Sequence, residues 1–366
     1  MAAPKPGGAC MSRQFHLKLI DAQQPAAPAA APTAHADRAM PLHPAHPGPQ
    51  KAMPSIVPQD ATAEEAFRIT LTQCRWHIAA NIPAVVEQRD IEGMHQLRVA
   101  FRRLRVAFAA FGPEFRTPSL EALRERARHL ASRMSEARDL DVFIGELLEP
   151  ASRCEDSQGG FVELRTRAEA ARKSAWDRAL AVAGGPALSE FLEDLGNAID
   201  HRQWLEEAVA HPEQKQTVFQ EPARELAARV MARRFRHVKA RARGLNKLSV
   251  PERHQLRIAL KKLRYTSEFF APFFAEEKFR KFQRRLSRMQ DILGALNDVA
   301  VARSTLDRLT AIPAAEGVAT DSGIAFAAGI VYGWHLERAA HMWEEAKARW
   351  KKLARNERFW EIATAQ

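Results

Sequence analysis

The stretch His95-Gln-Leu-Arg98-Val-Ala-Phe-Arg102-Arg103-Leu104-Arg105 returns as His254-Gln-Leu-Arg257-Ile-Ala-Leu-Lys261-Lys262-Leu263-Arg264, 159 residues later. Every difference between the copies keeps the chemistry: Val for Ile, Phe for Leu, Arg for Lys. Internal self-similarity marks the architectural unit of a chain. Here it divides one fold into two halves, each carrying a helix with a His/Arg/Lys face. At about 100° per residue, His95, Arg98, Arg102 and Arg105 fall in one narrow stripe, about 15 Å long at about 1.5 Å per residue. Leu97, Phe101, Leu104 and Phe108 form a separate apolar stripe that should face a core. His254, Arg257, Lys261 and Arg264 repeat the geometry.

Lys and Arg ordinarily decorate a solvated helix face. Three features argue against that reading. From Met94 to Phe111 there is no Asp or Glu, so pairing within the helix cannot neutralise the stripe. Like charges three and four residues apart cost helix stability. The same uncompensated stripe occurs in both halves. Neighbouring segments add Arg126, His129 and Arg133; Arg229, Arg233 and Arg236; and Lys281, Arg284, Arg285 and Arg288, each set at helical spacing. If these faces converge, the centre of the molecule becomes a cationic groove. Guanidinium forks suit phosphate, and lysine acts as a point charge. If both histidines touch the anion, affinity should rise below about pH 6.5.

Around the repeat the chain reads as helical throughout. Helices are expected at about 62–81, 90–112 (N-cap Asp90), 118–149, 160–183 and 187–207. A second set is expected at about 222–244, 249–270, 276–311 and 324–357, with Pro and Gly between them. Ser249-Val-Pro-Glu252 has the form of a capping box. No convincing alternating strand is present. Downstream of the first copy come Leu130, Arg133-Met134 and Arg138-Asp139-Leu140-Asp141-Val142. Downstream of the second come Leu286, Arg288-Met289 and Leu296-Asn297-Asp298-Val299, in the same order and at nearly the same spacing. Asp139, Asp141 and Asp298 read as holders of arginine side chains rather than as catalytic carboxylates.

The formal net charge of the 366 residues is +11, of which residues 1–60 contribute only +2, so the positive field belongs to the folded part. Such a field concentrates polyanions. Residues 1–60, rich in Ala, Pro and His, read as a disordered tail, and His43 and His46 there make no metal site. The three cysteines form no CxxC pair; Cys74 and Cys154 read as small core residues, which fits a cytoplasmic protein. Neither a secretory h-region nor a membrane span is expected.

HQLRVAFRRLR, RDLDVF, HQLRIALKKLR and the closing Gly333-Trp334-His335 with Phe359-Trp360 resemble the CHAD family, the conserved histidine α-helical domain. The resemblance spans residues 61–362, with halves at about 61–207 and 220–362. It implies an all-α fold of two pseudo-twofold-related four-helix bundles around a basic central pore or groove. It further implies binding of inorganic polyphosphate and association with polyphosphate granules and their proteins. By position it assigns anion contact to His95, Arg98, Arg102, Arg103 and Arg105, and to His254, Arg257, Lys261, Lys262 and Arg264. The Glu-x-Glu-x-Lys strand of the triphosphate-tunnel domain that precedes many members has no counterpart, so a stand-alone, non-catalytic binder without cofactor is expected. Two alternatives stay open: contact with a nucleic-acid backbone, and a phosphoryl-transfer or hydrolysis enzyme. The basic faces carry few aromatics for base stacking, and neither a Gly-rich phosphate loop nor an acidic metal cluster is visible. Both points favour the bare phosphate polymer.

Overall fold

Thr62 and Glu65 open the helical part of the chain. The Thr62 backbone N–H donates to Glu65 Oε2 at 2.9 Å and the Glu65 N–H returns to Thr62 Oγ1, a complete capping box. The first half comprises α1 (Ala63–Ala79), α2 (Ile82–Val86), α3 (Ile91–Ala110), α4 (Pro118–Arg133), α5 (Ser135–Val142), a π-helical segment (Phe143–Leu148), α6 (Glu149–Ser152), α7 (Gly160–Ala183), α8 (Pro186–Asp200) and α9 (Gln203–Val209). The second comprises α10 (Ala223–Arg241), α11 (Val250–Phe269), α12 (Glu276–Thr310) and α13 (Asp321–Ala354). The computed structural model describes residues 48–111, 115–153, 159–209, 218–311 and 321–361. Among the described residues there is no strand, only an isolated antiparallel bridge between Thr62 and Pro222.

Most expected helices appear within a few residues of their sequence-derived ends. Asp90 caps α3 by accepting the Gly93 N–H at 2.6 Å, and Ser249 with Glu252 forms the second capping box. The single helix expected over 118–149 is instead broken. Met134 leaves helical geometry at ψ 0°, and the chain continues through α5 into the π-helical segment. A π turn takes one extra residue and rotates everything after it, which hydrophobic periodicity alone does not reveal. The element expected at 187–207 likewise divides into α8 and α9.

The expected tail also needs correction at its end. Residues 48–60 lie along the helices: Gln50 exchanges hydrogen bonds with Asn81, its carbonyl meets His77 Nε2 at 3.1 Å, and Ser55 Oγ donates to the Phe269 carbonyl. Val57 is buried. This segment has few apolar residues, so composition assigned it to the tail, but the Gln50 and Pro54 backbone groups are bonded by Gln73 and His77 of α1 and by Asn81 after it. The remainder of the tail, His43 and His46, Cys10, Cys154, and the helix stops at Gly112-Pro113 and Pro313 lie outside the described residues. Cys74 is free and buried, and burial pushes its thiol up to about 12.

Apolar side chains gather in three clusters. The first draws on α1, α3, α4, α8 and the second half of α7, with Tyr265, Phe269 and Phe270 arriving from α11. Phe67, Phe111, Phe115, Trp204, Phe219 and Phe270 stack there, mostly tilted or edge to face. The second cluster joins α10, α11, the first half of α12 and the second half of α13, around Phe235, Phe282 and Trp360. A third, not anticipated from the sequence, joins the π-helical segment, the first half of α7, the second half of α12 and the first half of α13. His335 of the closing motif is buried in contact with it, its Nε2 2.8 Å from the Leu147 carbonyl. Each long helix thus spends half its length in one core and half in another. The polar residues described next lie where elements of all three meet.

Candidate anion-binding site

On α3, Leu97, Phe101 and Leu104 are fully buried in the first cluster, so the opposite stripe must face away from it. On α11, Leu256, Leu260 and Leu263 do the same for the second cluster. The two helices pack against each other. As a result Arg98 and Arg102 of the first copy act electrostatically on Lys261 of the second, and Arg102 acts on Arg257. The two duplicated stripes therefore share one site.

Carboxylates enter that site at matched places. Arg98 pairs with Asp139 of α5 at 3.3 Å and donates to the Ser135 carbonyl. Asp298 of α12 is the principal carboxylate acting on Arg257 and Lys261. The same separation, 41 residues, divides Arg98 from Asp139 and Arg257 from Asp298. Asp139, not Asp141, is thus the counterpart of Asp298. Asp141 is buried and accepts from Arg172 Nε at 2.7 Å and from Trp176 Nε1 at 3.1 Å. Glu146 on the π-helical segment reaches Arg138 at 3.8 Å; burial, with Asp298 nearby, raises its carboxyl pKa.

Several cations remain without a partner. Among the described residues Arg102, Arg105, Arg257, Lys261 and Lys262 have no carboxylate within ion-pair distance and no side-chain hydrogen bond. The Arg257 Nε–H is buried and unpaired. Burial, then Arg102 and Arg257, pull the Lys261 ammonium down to about 6, against the opposing pull of Asp298. Burial, then Arg138, hold the His95 imidazole down to about 4, so this ring is neutral at pH 7. A desolvated cation without a counter-charge is costly, and a buried unpaired donor in a native fold calls for a reason. A multivalent anion supplies one. A cavity of about 160 Å³ opens beside Arg102 and Arg105, between α3, α4 and the start of α5. Arg98, Arg102, Arg105 and Arg128 line it together with small Ala and Ser side chains, and no acid does.

His254 differs from its repeat mate. Its Nδ1 lies 2.6 Å from Asn297 Oδ1, and because an amide oxygen can only accept, Nδ1 carries the hydrogen. Asn297 in turn donates to Asp298.

Other expected contacts are turned elsewhere. Arg103 is buried against Tyr265 and Phe269 and ion-paired to Glu268, because one residue beyond Arg102 points about 100° away from the stripe. Arg264 pairs with the same Glu268 at 3.0 Å and donates to Gln290. One carboxylate thus ties the first copy to the second. Arg126 reaches Asp194 on α8, Arg229 makes two bonds to Glu221, and Arg285 donates to Asn356. His129, Arg133, Arg233, Arg236, Lys281, Arg284 and Arg288 are exposed. Among the described residues no hydrogen bond or ion pair ties them to the two stripes.

The cations that do approach the stripes come from neighbouring flanks of the same helices. On α4 they are Arg124 and Arg128 rather than Arg126, His129 and Arg133; on α10 they are Arg234, His237 and Arg241 rather than Arg229, Arg233 and Arg236. Glu121 and Glu125, three residues before Arg124 and Arg128, make them resemble ordinary surface pairs, so sequence gave no reason to select them.

The family profile described as CHAD domain matches residues 69–307. A solved structure, the crystal structure of the CHAD domain from the plant Ricinus communis, superposes with a TM-score of 0.70 at 25% identity, covering 85% of this chain and 98% of that one. PptA from Streptomyces chartreusis superposes with a TM-score of 0.54 at 16% identity over 80% of this chain and 99% of that one, a likeness of fold. No curated protein matches the sequence.

Proposed function

The chain belongs to the CHAD domain family, and from that premise we propose that it binds inorganic polyphosphate without acting on it chemically. The observation carrying this reading is the meeting of both duplicated stripes at one site, with Arg102, Arg105, Arg257 and Lys261 unpartnered among the described residues. A linear phosphate polymer offers charge and oxygens at every unit, and no ring that asks for an aromatic platform. The site answers with guanidinium forks and ammonium groups. Phe101, Phe108 and Phe111 of α3 are buried in the core, so the groove side of that helix lacks the stacking surface common in single-stranded nucleic-acid binders.

In this reading Asp139 holds Arg98 in place, and Asp298 offsets part of the charge of Arg257, until phosphate oxygens take their share of the donors. Binding at a phosphate-rich body such as a polyphosphate granule follows from the same chemistry. No described helix is long and apolar enough to cross a membrane.

The test is a competition in which labelled long-chain polyphosphate is displaced from the full chain by duplex DNA, single-stranded RNA or ATP at matched phosphate concentration. The reading predicts that unlabelled polyphosphate competes best and that binding weakens steeply with salt, as counterion release requires. Competition by nucleic acid equal to that by polyphosphate contradicts it. Release of orthophosphate from polyphosphate in the presence of Mg²⁺ contradicts the non-catalytic part.

A further inference from the structure

Lys262 is the second of the paired lysines in the second copy, and on α11 it points about 100° away from Lys261. Its surroundings differ from those of the pocket. The principal charged groups acting on it are all cations from three other helices: Arg234 and Arg241 of α10, Arg105 of α3 and Arg124 of α4. His237 of α10 has Arg241, Arg234 and Lys262 about it. Arg105 has Arg128, Arg124 and Arg102 nearby, with Glu125 the one acid among its main neighbours. Where the two stripes meet, by contrast, Arg98 pairs with Asp139, and Asp298 is the carboxylate acting on Arg257 and Lys261.

A second gathering of cations, on α10 and α11, therefore lies beside the pocket. Arg105 connects the two regions, because it lines the pocket and also acts on Lys262. Arg234 is fixed at the base of this outer region by donating to the Ala109 carbonyl at 2.5 Å, while its Nε–H is buried without an acceptor. Glu268 occupies the equivalent of Ala109 in the second copy, where it neutralises Arg103 and Arg264. At this position the two copies differ: the copy that has Ala109 offers no acid to Arg105, and the copy that has Glu268 pairs Arg264.

We infer that the anion site continues past the pocket into a second binding segment, made by Arg105, Lys262, Arg234, His237 and Arg241, which selects long linear polyanions over short ones. The inference rests on the polyphosphate reading and extends it to a chain-length preference. From Arg98 to Arg105 the path along α3 is about 10 Å, and from Arg234 to Arg241 along α10 it is about 10 Å more, at about 1.5 Å per residue. A short oligophosphate can sit in the pocket. Only a longer chain reaches both segments, and joining two weak segments through one ligand raises affinity without any new pocket contact.

The experiment compares inorganic tripolyphosphate with long-chain polyphosphate on the full chain, wild type and Lys262→Gln/Arg241→Gln. Both positions are exposed, so the double variant keeps its core. The expected result is a loss of about tenfold or more in long-chain affinity and a salt slope lower by about 2, with tripolyphosphate affinity within about twofold of wild type. Lys351→Gln/Lys352→Gln, exposed on α13, removes the same net charge elsewhere and should leave both ligands unchanged. Equal losses for both ligands, no loss for either, or an equal long-chain loss in the Lys351/Lys352 variant overturns the second segment. A wild-type chain that binds neither ligand overturns the polyphosphate reading itself.

Discussion

At Lys261 burial, followed by the surrounding charges, sets the protonation state. Arg98 and Arg102 face it from α3, Arg257 from its own helix and Asp298 from α12, and burial leads the shift that takes its ammonium down to about 6. In the empty protein the folded state binds this proton only below about 6, whereas the unfolded chain holds it up to the ordinary 10.5. Stability from this group therefore rises with pH across that window. A bound polyanion works in the opposite sense, since negative charge favours the ammonium and binding draws in a proton. Affinity should accordingly fall as pH rises from about 6 towards 8.5, and the binding heat should vary with the ionisation enthalpy of the buffer. Lys261→Arg, which stays charged, should lose most of both dependences; an unchanged profile in that variant assigns the proton elsewhere. In the empty protein burial and Arg138 hold His95 down to about 4, below the 6.5 ordinary for its residue type.

Glu268 is the other residue on which the arrangement turns, since it pairs with Arg103 from the first copy and Arg264 from the second. Arg103 is buried, so Glu268→Gln leaves a desolvated guanidinium without its counter-charge. A loss of about 3 kcal/mol is expected, read as a lower Tm or denaturation midpoint. An unchanged midpoint removes Glu268 from the packing account. Nothing local to Glu268 marks this role. Arg103 looked like a groove residue because it sits inside the motif, and its acid lies 165 residues away.

At the scale of elements, helix positions were legible because capping residues and apolar periodicity are local. Asp90, Ser249 and Glu252 perform the capping roles their spacing indicated. The α3 and α11 stripes were legible for the same reason, each having a single apolar face that fixes the direction of the other. On α4 and α10, cations occupy both flanks of the apolar face. Which flank faces the site depends on whether a neighbouring helix lies to left or right, and that is tertiary information. Residues 124 and 128, not 126, 129 and 133, face the site on α4. Arg128→Gln should therefore lower polyphosphate affinity several-fold and the salt slope by about 1, while Arg133→Gln leaves both near wild type. Equal effects restore the flank read from the sequence. The break at Met134 and the π-helical segment, which place Glu146 beside Arg138, were hidden because an added residue per turn leaves no composition signal.

For the whole molecule, duplication brings the two basic stripes together, and asymmetry makes the surroundings of the two copies differ. Three apolar clusters support one polar centre, with α7, α12 and α13 each shared between two of them. Such sharing couples the halves, so α3 and α11 do not move apart without disturbing more than one core. Ala109 opposite Glu268, and Arg138 opposite Asn297, are among the substitutions that make the two copies unequal. The central claim is that both copies grip a single anion. It is tested most directly by a double-mutant cycle on long-chain polyphosphate binding, using Arg102→Gln from the first copy and Arg257→Gln from the second. Both single variants should bind more weakly, and the double variant should depart from additivity by about 0.5 kcal/mol or more, as expected for residues sharing one ligand and one network. Strictly additive losses, or a loss from only one copy, would contradict a shared site.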